Sequence, residues 1–269
     1  MLPTAADPTT IVDLDRYPID DLDRAASVIT SASAGLADKG VAILPGFLRG
    51  AALAEIVAEA DRLAPKGHHE DVPGTVYLGF PDQSFPADHP RQYVSRSALT
   101  AVAYDLFPAE SLLRALYEWE PLMEFVAAVL GRHPLYRYAD PLGALNVAAM
   151  YDTDELGWHF DQTDFVVSIA LQSSDGGGHF EAAARVRGPD DEHYDDVARV
   201  LAGDAPELIE TVPMTPGTLM LFEGRYSLHR VTPIQGPTPR HVALLAYDTK
   251  PGTDSTELLK LVRYGRLPE

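Results

Sequence analysis

After Gly131 the sequence changes texture, and that change limits the possible folds more than any other feature. Seven short runs rich in β-branched, aromatic and aliphatic residues follow: Leu145–Tyr151, Phe165–Gln172, His179–Ala183, Leu208–Val212, Thr218–Phe222, Leu228–Ile234 and His241–Tyr247. Gly, Pro and Asp punctuate them, so each run is too short for a long helix and reads as a strand between turns. Strands at this spacing predict a sandwich or barrel. The interval Gly188–Asp204 carries polar residues before the apolar-spaced Val197 and Leu201. It predicts a loop with one short helix inserted between strands. Gly176-Gly177-Gly178 follows Asp175 and precedes a strand rather than a helix, so it predicts a hairpin turn and lacks the context of a phosphate cradle.

The N-terminal half reads differently. Alanine-rich sequence from Ile19 to Lys39 has apolar residues at helical spacing, Gly40 is a stop signal, and Val41–Leu44 is a strand-like run. Further helices are predicted over Ala51–Leu63, closed by Pro65 and Gly67, and over Glu110–Glu118 and Leu122–Leu130. The expected architecture is mainly β with flanking helices, an α+β chain forming one domain over 1–269. A mostly helical N-terminal part and lid covers 1–132, the β core 133–250, and a tail 251–269. An apolar fraction of 46% supplies a core for it.

Several partners and chemistries are set aside by composition. A net charge of −19 repels nucleic-acid phosphates and anionic membrane surfaces. The chain has no cysteine, which removes disulfides, iron–sulfur clusters and thiolate catalysis, and leaves His, carboxylate or water for any metal. Met1-Leu2-Pro3-Thr4 lacks a basic and apolar leader pattern, and no run nears the ~18 apolar residues of a membrane helix. The expectation is a cytoplasmic enzyme acting on a small molecule, with no nucleic acid or membrane partner. Its oligomeric state is not legible.

Chemistry concentrates in two places. In Gly157-Trp158-His159-Phe160-Asp161 an imidazole and a carboxylate stand two apart, and residues i and i+2 of a strand project from one face. Two ligands hold a divalent metal weakly. Ser227-Leu228-His229-Arg230-Val231-Thr232-Pro233 offers a third, His229, 68 residues after Asp161. Two histidines and one carboxylate occupy one face of an octahedron and leave three positions open. Arg240 follows 11 residues after His229, at the head of the apolar run His241–Tyr247. A guanidinium aimed into a barrel needs an anionic partner, and its planar fork matches a carboxylate.

In that order, His159-x-Asp161, His229 and Arg240 resemble the Fe(II)/2-oxoglutarate-dependent dioxygenase superfamily. Ala139-Asp140-Pro141-Leu142, Asn146-Val147, Trp158-His159-Phe160, Pro216-Gly217-Thr218-Leu219 and His229-Arg230-Val231-Thr232-Pro233 are similar to its branch of free amino-acid hydroxylases and radical halogenases. The likeness spans roughly Ala139 to Asp248. It implies a double-stranded β-helix, or jelly-roll, core. It also implies Fe(II) on His159, Asp161 and His229, with 2-oxoglutarate as co-substrate clamped by Arg240, and O2. The reaction implied is hydroxylation of an unactivated C–H, with release of succinate and CO2. Halogenases of this branch have Gly or Ala where this chain has Asp161, so the retained carboxylate favours hydroxylation over chlorination.

Many members of the superfamily place a serine two residues after the arginine, where this chain has Val242. A second donor to the co-substrate is therefore expected from Tyr151, Thr232 or Asn146. Arg96 and Glu118 precede the core and are candidates for the carboxylate and amine of an amino-acid substrate. Trp158 is expected to pack the barrel wall, and His68-His69-Glu70 to be a solvated loop, because adjacent histidines point apart. Two other readings use the same motif: a cupin-like dioxygenase or zinc hydrolase without 2-oxoglutarate, which leaves Arg240 unexplained, and a non-catalytic jelly-roll binding or sensor protein.

Overall fold

A computed structural model describes residues 6–268; the reading of Met1–Thr4 lies outside them. The helices are α1 (Ala26–Lys39), α2 (Gly50–Leu63), α3 (Leu112–Glu118), α4 (Glu120–Leu130), α5 (Tyr194–Ala202) and α6 (Glu257–Tyr264). The strands begin with β1 (Val41–Leu44), β2 (His68–Thr75), β3 (Val94–Val102), β4 (Tyr136–Arg137), β5 (Leu145–Met150), β6 (Leu156–His159) and β7 (Val166–Gln172). They continue with β8 (Gly176–Gly177), β9 (Phe180–Ala183), β10 (Glu210–Val212), β11 (Leu219–Phe222), β12 (Leu228–Val231), β13 (Ile234–Gln235), β14 (Arg240–Leu245) and β15 (Tyr247–Asp248). None of the described helices is long and apolar enough to cross a membrane.

Every predicted strand after Gly131 is present, with its ends trimmed and two runs each split in two. Eleven of these strands curl into one antiparallel sheet in the order β1-β11-β7-β14-β5-β3-β6-β12-β9-β10, with β2 added beside β3, while β13 with β8 and β15 with β4 form two small two-stranded sheets. This is the jelly-roll core with helices that the sequence predicts. The α5 insert lies where expected, and α1 ends at Gly40, whose φ of 67° is a left-handed conformation that glycine adopts without strain.

Alternation across the sheet separates two cores. On β5, Leu145, Val147 and Ala149 face outward to the helices, while Ala148 and Met150 face into the curl. The same split places Leu219 and Leu221 outside and Met220 and Phe222 inside on β11. Against the outer face pack Ile56 and Leu63 of α2 and Phe125 and Val129 of α4. Each such aliphatic or aromatic side chain contributes about 1.5–3 kcal/mol by leaving water. A one-residue slip would send the outer set into the curl, so register is strongly fixed. A third cluster, with Trp158, Phe160, Val197, Val200 and Leu228, seals the back of β6 and β12 under α5. Trp158 packs the wall as expected.

The N-terminal half departs from its largely helical prediction. β2 and β3 pair over eight residues from His68↔Ala101 to Thr75↔Val94, so His68-His69-Glu70 is strand, and Glu70 is buried. Gly176–Gly177 also pairs, with Ile234 and Gln235 of β13, rather than forming only a turn. There Gly177 brings its backbone so close to Pro233 that a Cβ would meet the Pro233 carbonyl oxygen at 1.8 Å.

Candidate metal centre

His159 is the last residue of β6, and Asp161 lies beyond it, so strand alternation alone does not bring the two together. The chain leaving β6 is held by Phe160 N–H donating to the Val76 carbonyl at 2.8 Å and Asp161 N–H donating to the Gly224 carbonyl at 3.1 Å. Phe160 turns into the back cluster, where the Arg187 guanidinium lies 3.9 Å from its ring centroid. His159 and Asp161 remain on the cavity side. The third residue arrives through sheet pairing: His229 of β12 stands directly opposite His159 of β6, beside a register irregularity between His229 and Val231. Such bulges re-aim side chains near sites.

The three donor groups converge. His159 Nε2 lies 3.9 Å from Asp161 Oδ1, and His229 Nε2 lies 3.6 Å from Asp161 Oδ2. All three residues offer ligand atoms within 4.8 Å of one another. Donors at about 2.0–2.2 Å from one metal and at right angles would be roughly 3 Å apart, so a small inward closure completes a site. Each imidazole is already oriented: Nδ1 of His159 is 2.8 Å from the Gly157 carbonyl, and Nδ1 of His229 is 2.9 Å from the Ser227 carbonyl. A backbone acceptor there fixes the proton on Nδ1 and leaves the Nε2 lone pair for a metal. Burial, then the neighbouring His229, push the His159 pKa down to about 4, against the opposing pull of Asp161. Its imidazole is therefore neutral at neutral pH. Asp161 Oδ2 is buried and has no hydrogen-bond partner among the described residues. A buried carboxylate oxygen facing two imidazole nitrogens is what a divalent cation would satisfy, and the mixed nitrogen and oxygen set suits Fe(II).

The cavity in front of these residues has a volume of about 290 Å³ and is walled mainly by apolar side chains, among them Leu99, Leu156, Phe180, Met220 and Phe222. Arg240 enters it from the head of β14, opposite Met150 of β5. Its side chain is buried, its Nη1 is 3.8 Å from Met150 Sδ, and no carboxylate among the described residues pairs with it. Burial alone lowers its pKa to about 10, so it is still charged at neutral pH. A buried guanidinium without a protein carboxylate would be stabilised by an anion entering the cavity.

The remaining sequence candidates fall in three groups. Asn146 shares the inward face of β5 with Ala148 and Met150 and lies opposite Leu244. The Thr232 hydroxyl accepts from the His179 N–H at 3.0 Å, which braces the backbone, and Tyr151 is 39% exposed outside the cavity wall. Arg96 and Glu118 are not brought to the cavity. Arg96 instead forms a two-pronged pair with Asp71, at 2.9 Å on each side, and donates to the Thr153 carbonyl. Glu118 bonds to Arg114 at 2.9 Å and to the Tyr104 hydroxyl. Both are exposed ion pairs, formed because nearer opposite charges were available.

Three residues of the site carried no readable sequence signal. Ser168 points inward from β7 with a buried hydroxyl lacking a partner. Arg263 reaches the cavity from α6. Gly224 lies against Asp161, and only its position five residues before His229 could have drawn attention to it.

The family described as HalD: Halogenase D matches residues 24–258. No curated protein matches. Among solved structures, a 2OG-Fe(II) oxygenase family oxidoreductase from Burkholderia pseudomallei is similar with a TM-score of 0.53 at 15% identity, covering 84% of this chain and 92% of that one. The non-heme alpha ketoglutarate dependent carbocyclase SnoK from nogalamycin biosynthesis has a TM-score of 0.56 at 16% identity, over 88% and 92% of the two chains. The epimerase SnoN in complex with Fe3+, alpha ketoglutarate and nogalamycin RO has a TM-score of 0.55 at 17% identity, over 82% and 84%. These likenesses are of fold.

Proposed function

This chain belongs to the Halogenase D family, and from that premise we propose that it is an Fe(II)- and 2-oxoglutarate-dependent oxygenase that hydroxylates an unactivated C–H of a small polar substrate. The substrate class is a free amino acid or a close derivative. The carrying observation is the pairing of two unmet demands in one cavity: the Asp161 carboxylate facing two imidazole nitrogens, and the Arg240 guanidinium with no carboxylate partner among the described residues. One takes a divalent metal and the other a carboxylate, which together are the requirements of iron and a 2-oxo diacid.

His159, Asp161 and His229 would hold the metal, and Arg240 would bind the distal carboxylate of the co-substrate. Asn146, on the same strand face as Met150 though not itself lining the cavity, is the sequence candidate left to share that duty. Iron with 2-oxoglutarate and O2 supplies the oxidising power, while the protein positions the C–H and excludes water. Hydroxylation is favoured over halogenation because Asp161 would be a metal ligand where the halogenases of this branch have Gly or Ala. The fold shared with SnoK and SnoN, and the iron and alpha ketoglutarate held in the latter, support the co-substrate part of the reading.

Anaerobic titration of 2-oxoglutarate into Fe(II)-loaded protein tests it. The expected result is a weak visible charge-transfer band, abolished by Arg240→Ala and by His229→Ala, followed by succinate release on admitting O2. No band from folded, iron-loaded protein overturns the reading.

A further inference from the structure

Two cations face the cavity, and they differ. Arg240 is deep and pairs with no carboxylate among the described residues, whereas Arg263 comes from α6 with 32% of its side chain exposed and Nη1 2.7 Å from Glu70 Oε1. Glu70 is itself buried, on β2 opposite Leu99, which also lines the cavity. The helix that delivers Arg263 is fastened at both ends. Lys260 Nζ meets Asp254 at 2.6 Å, and Arg266 meets Asp105 at 2.7 Å, while Tyr264 is buried in the inner core. A guanidinium has five donors, and a single carboxylate oxygen cannot use them all. Its rotamers are already restricted by Glu70, which lowers the ordering cost of binding a ligand.

The surroundings say what that ligand is. Apart from the metal-facing residues and the two arginines the wall is chiefly apolar, so an anion entering from water has few other polar groups to replace its hydration. The chain as a whole carries −19, a field that repels anions. Arg263 is paired with Glu70, yet one carboxylate oxygen leaves guanidinium donors over for a second anion. We propose that Arg263 is the substrate's carboxylate receptor and that Glu70 is the residue positioning it. The proposal rests on the reading of this cavity as an iron and 2-oxoglutarate site, with Arg240 reserved for the co-substrate.

The test assays full-length protein loaded with Fe(II) and 2-oxoglutarate for succinate release with the proteinogenic amino acids and their carboxamides. A free acid is expected to stimulate release, and its carboxamide to raise KM on the order of tenfold or more. Arg263→Gln should raise KM for the acid to the same extent with kcat nearly kept and leave the carboxamide unaffected. Arg263→Lys should restore part of the loss, and Glu70→Gln should give a smaller rise. Equal KM for acid and carboxamide in the unaltered protein overturns the proposal without any variant. So does an Arg263→Gln protein with unchanged KM, or a protein that shows the charge-transfer band but is stimulated by no free amino acid. Absence of the band itself fails the underlying reading, and the proposal with it.

Discussion

Gly224 packs against the Asp161 carboxylate so closely that a Cβ at position 224 would lie 1.7 Å from Oδ2 and 2.6 Å from Cγ. The Gly224 carbonyl also accepts the Asp161 N–H, so the backbone that holds Asp161 in place leaves room for the carboxylate only if residue 224 has no side chain. Gly224→Ala is expected to push the carboxylate out of the site and lower divalent-metal affinity by roughly 10–100-fold, the cost typical of disturbing a ligand's support. Asp161→Gly empties the space a methyl group needs, so the double variant should be no less stable than Asp161→Gly alone, and Gly224→Ala less stable than the parent. Cobalt(II) titration followed by visible absorption, with melting temperatures of the four proteins, checks both. Additive stability losses would sink the steric account.

Replacing Arg240 should separate stability from function. Its charge is buried among the described residues without an anion, so Arg240→Met removes a desolvation cost and should leave the metal-free protein as stable or more stable. The same change removes the carboxylate fork and should weaken 2-oxoglutarate by about 2–5 kcal/mol. Thermal melting and co-substrate titration give the two numbers. A destabilised variant that still binds 2-oxoglutarate tightly would contradict both halves.

The stability of the metal-free protein should fall as pH drops from about 6.5 to about 4. The His159 pKa is held near 4 by burial and by His229, while an unfolded histidine titrates near ~6.5. Between those values the unfolded chain binds the extra proton, so stability rises with pH across the window and is lost on acidification, by a few kcal/mol at most. Urea unfolding at several pH values measures the slope, and His159→Gln should flatten it.

The Ser168 hydroxyl is buried in the cavity wall without a partner among the described residues. Its removal therefore forfeits no hydrogen bond within the protein. Ser168→Ala should change stability by no more than about 1 kcal/mol and most plainly not lower it. A melting curve decides this; a loss well beyond that size would mean that the hydroxyl is satisfied inside the folded chain.

What the sequence determined by itself was local or periodic. The β runs after Gly131, the α5 insert, the Gly40 stop and the order of His159, Asp161, His229 and Arg240 are all carried by neighbours within a few residues, or by spacing that a β fold converts into proximity. Tertiary structure decided the rest. Strand β2 is polar and interrupted by Pro73 and Gly74, and β3 carries the polar Ser95-Arg96-Ser97 near its start, so their pairing is imposed by each other and by β5 rather than by their own composition. Arg96 and Glu118 have the right chemistry for a substrate site, yet Asp71 and Arg114 lie within hydrogen-bond reach and the cavity does not. Glu70 and Arg263 are almost two hundred residues apart and meet because α6 folds back onto β2. The fit of Gly224 against Asp161 is likewise a close approach between two loops. Charge pairing and steric fit depend on distance in space, and a linear sequence records distance only along the chain.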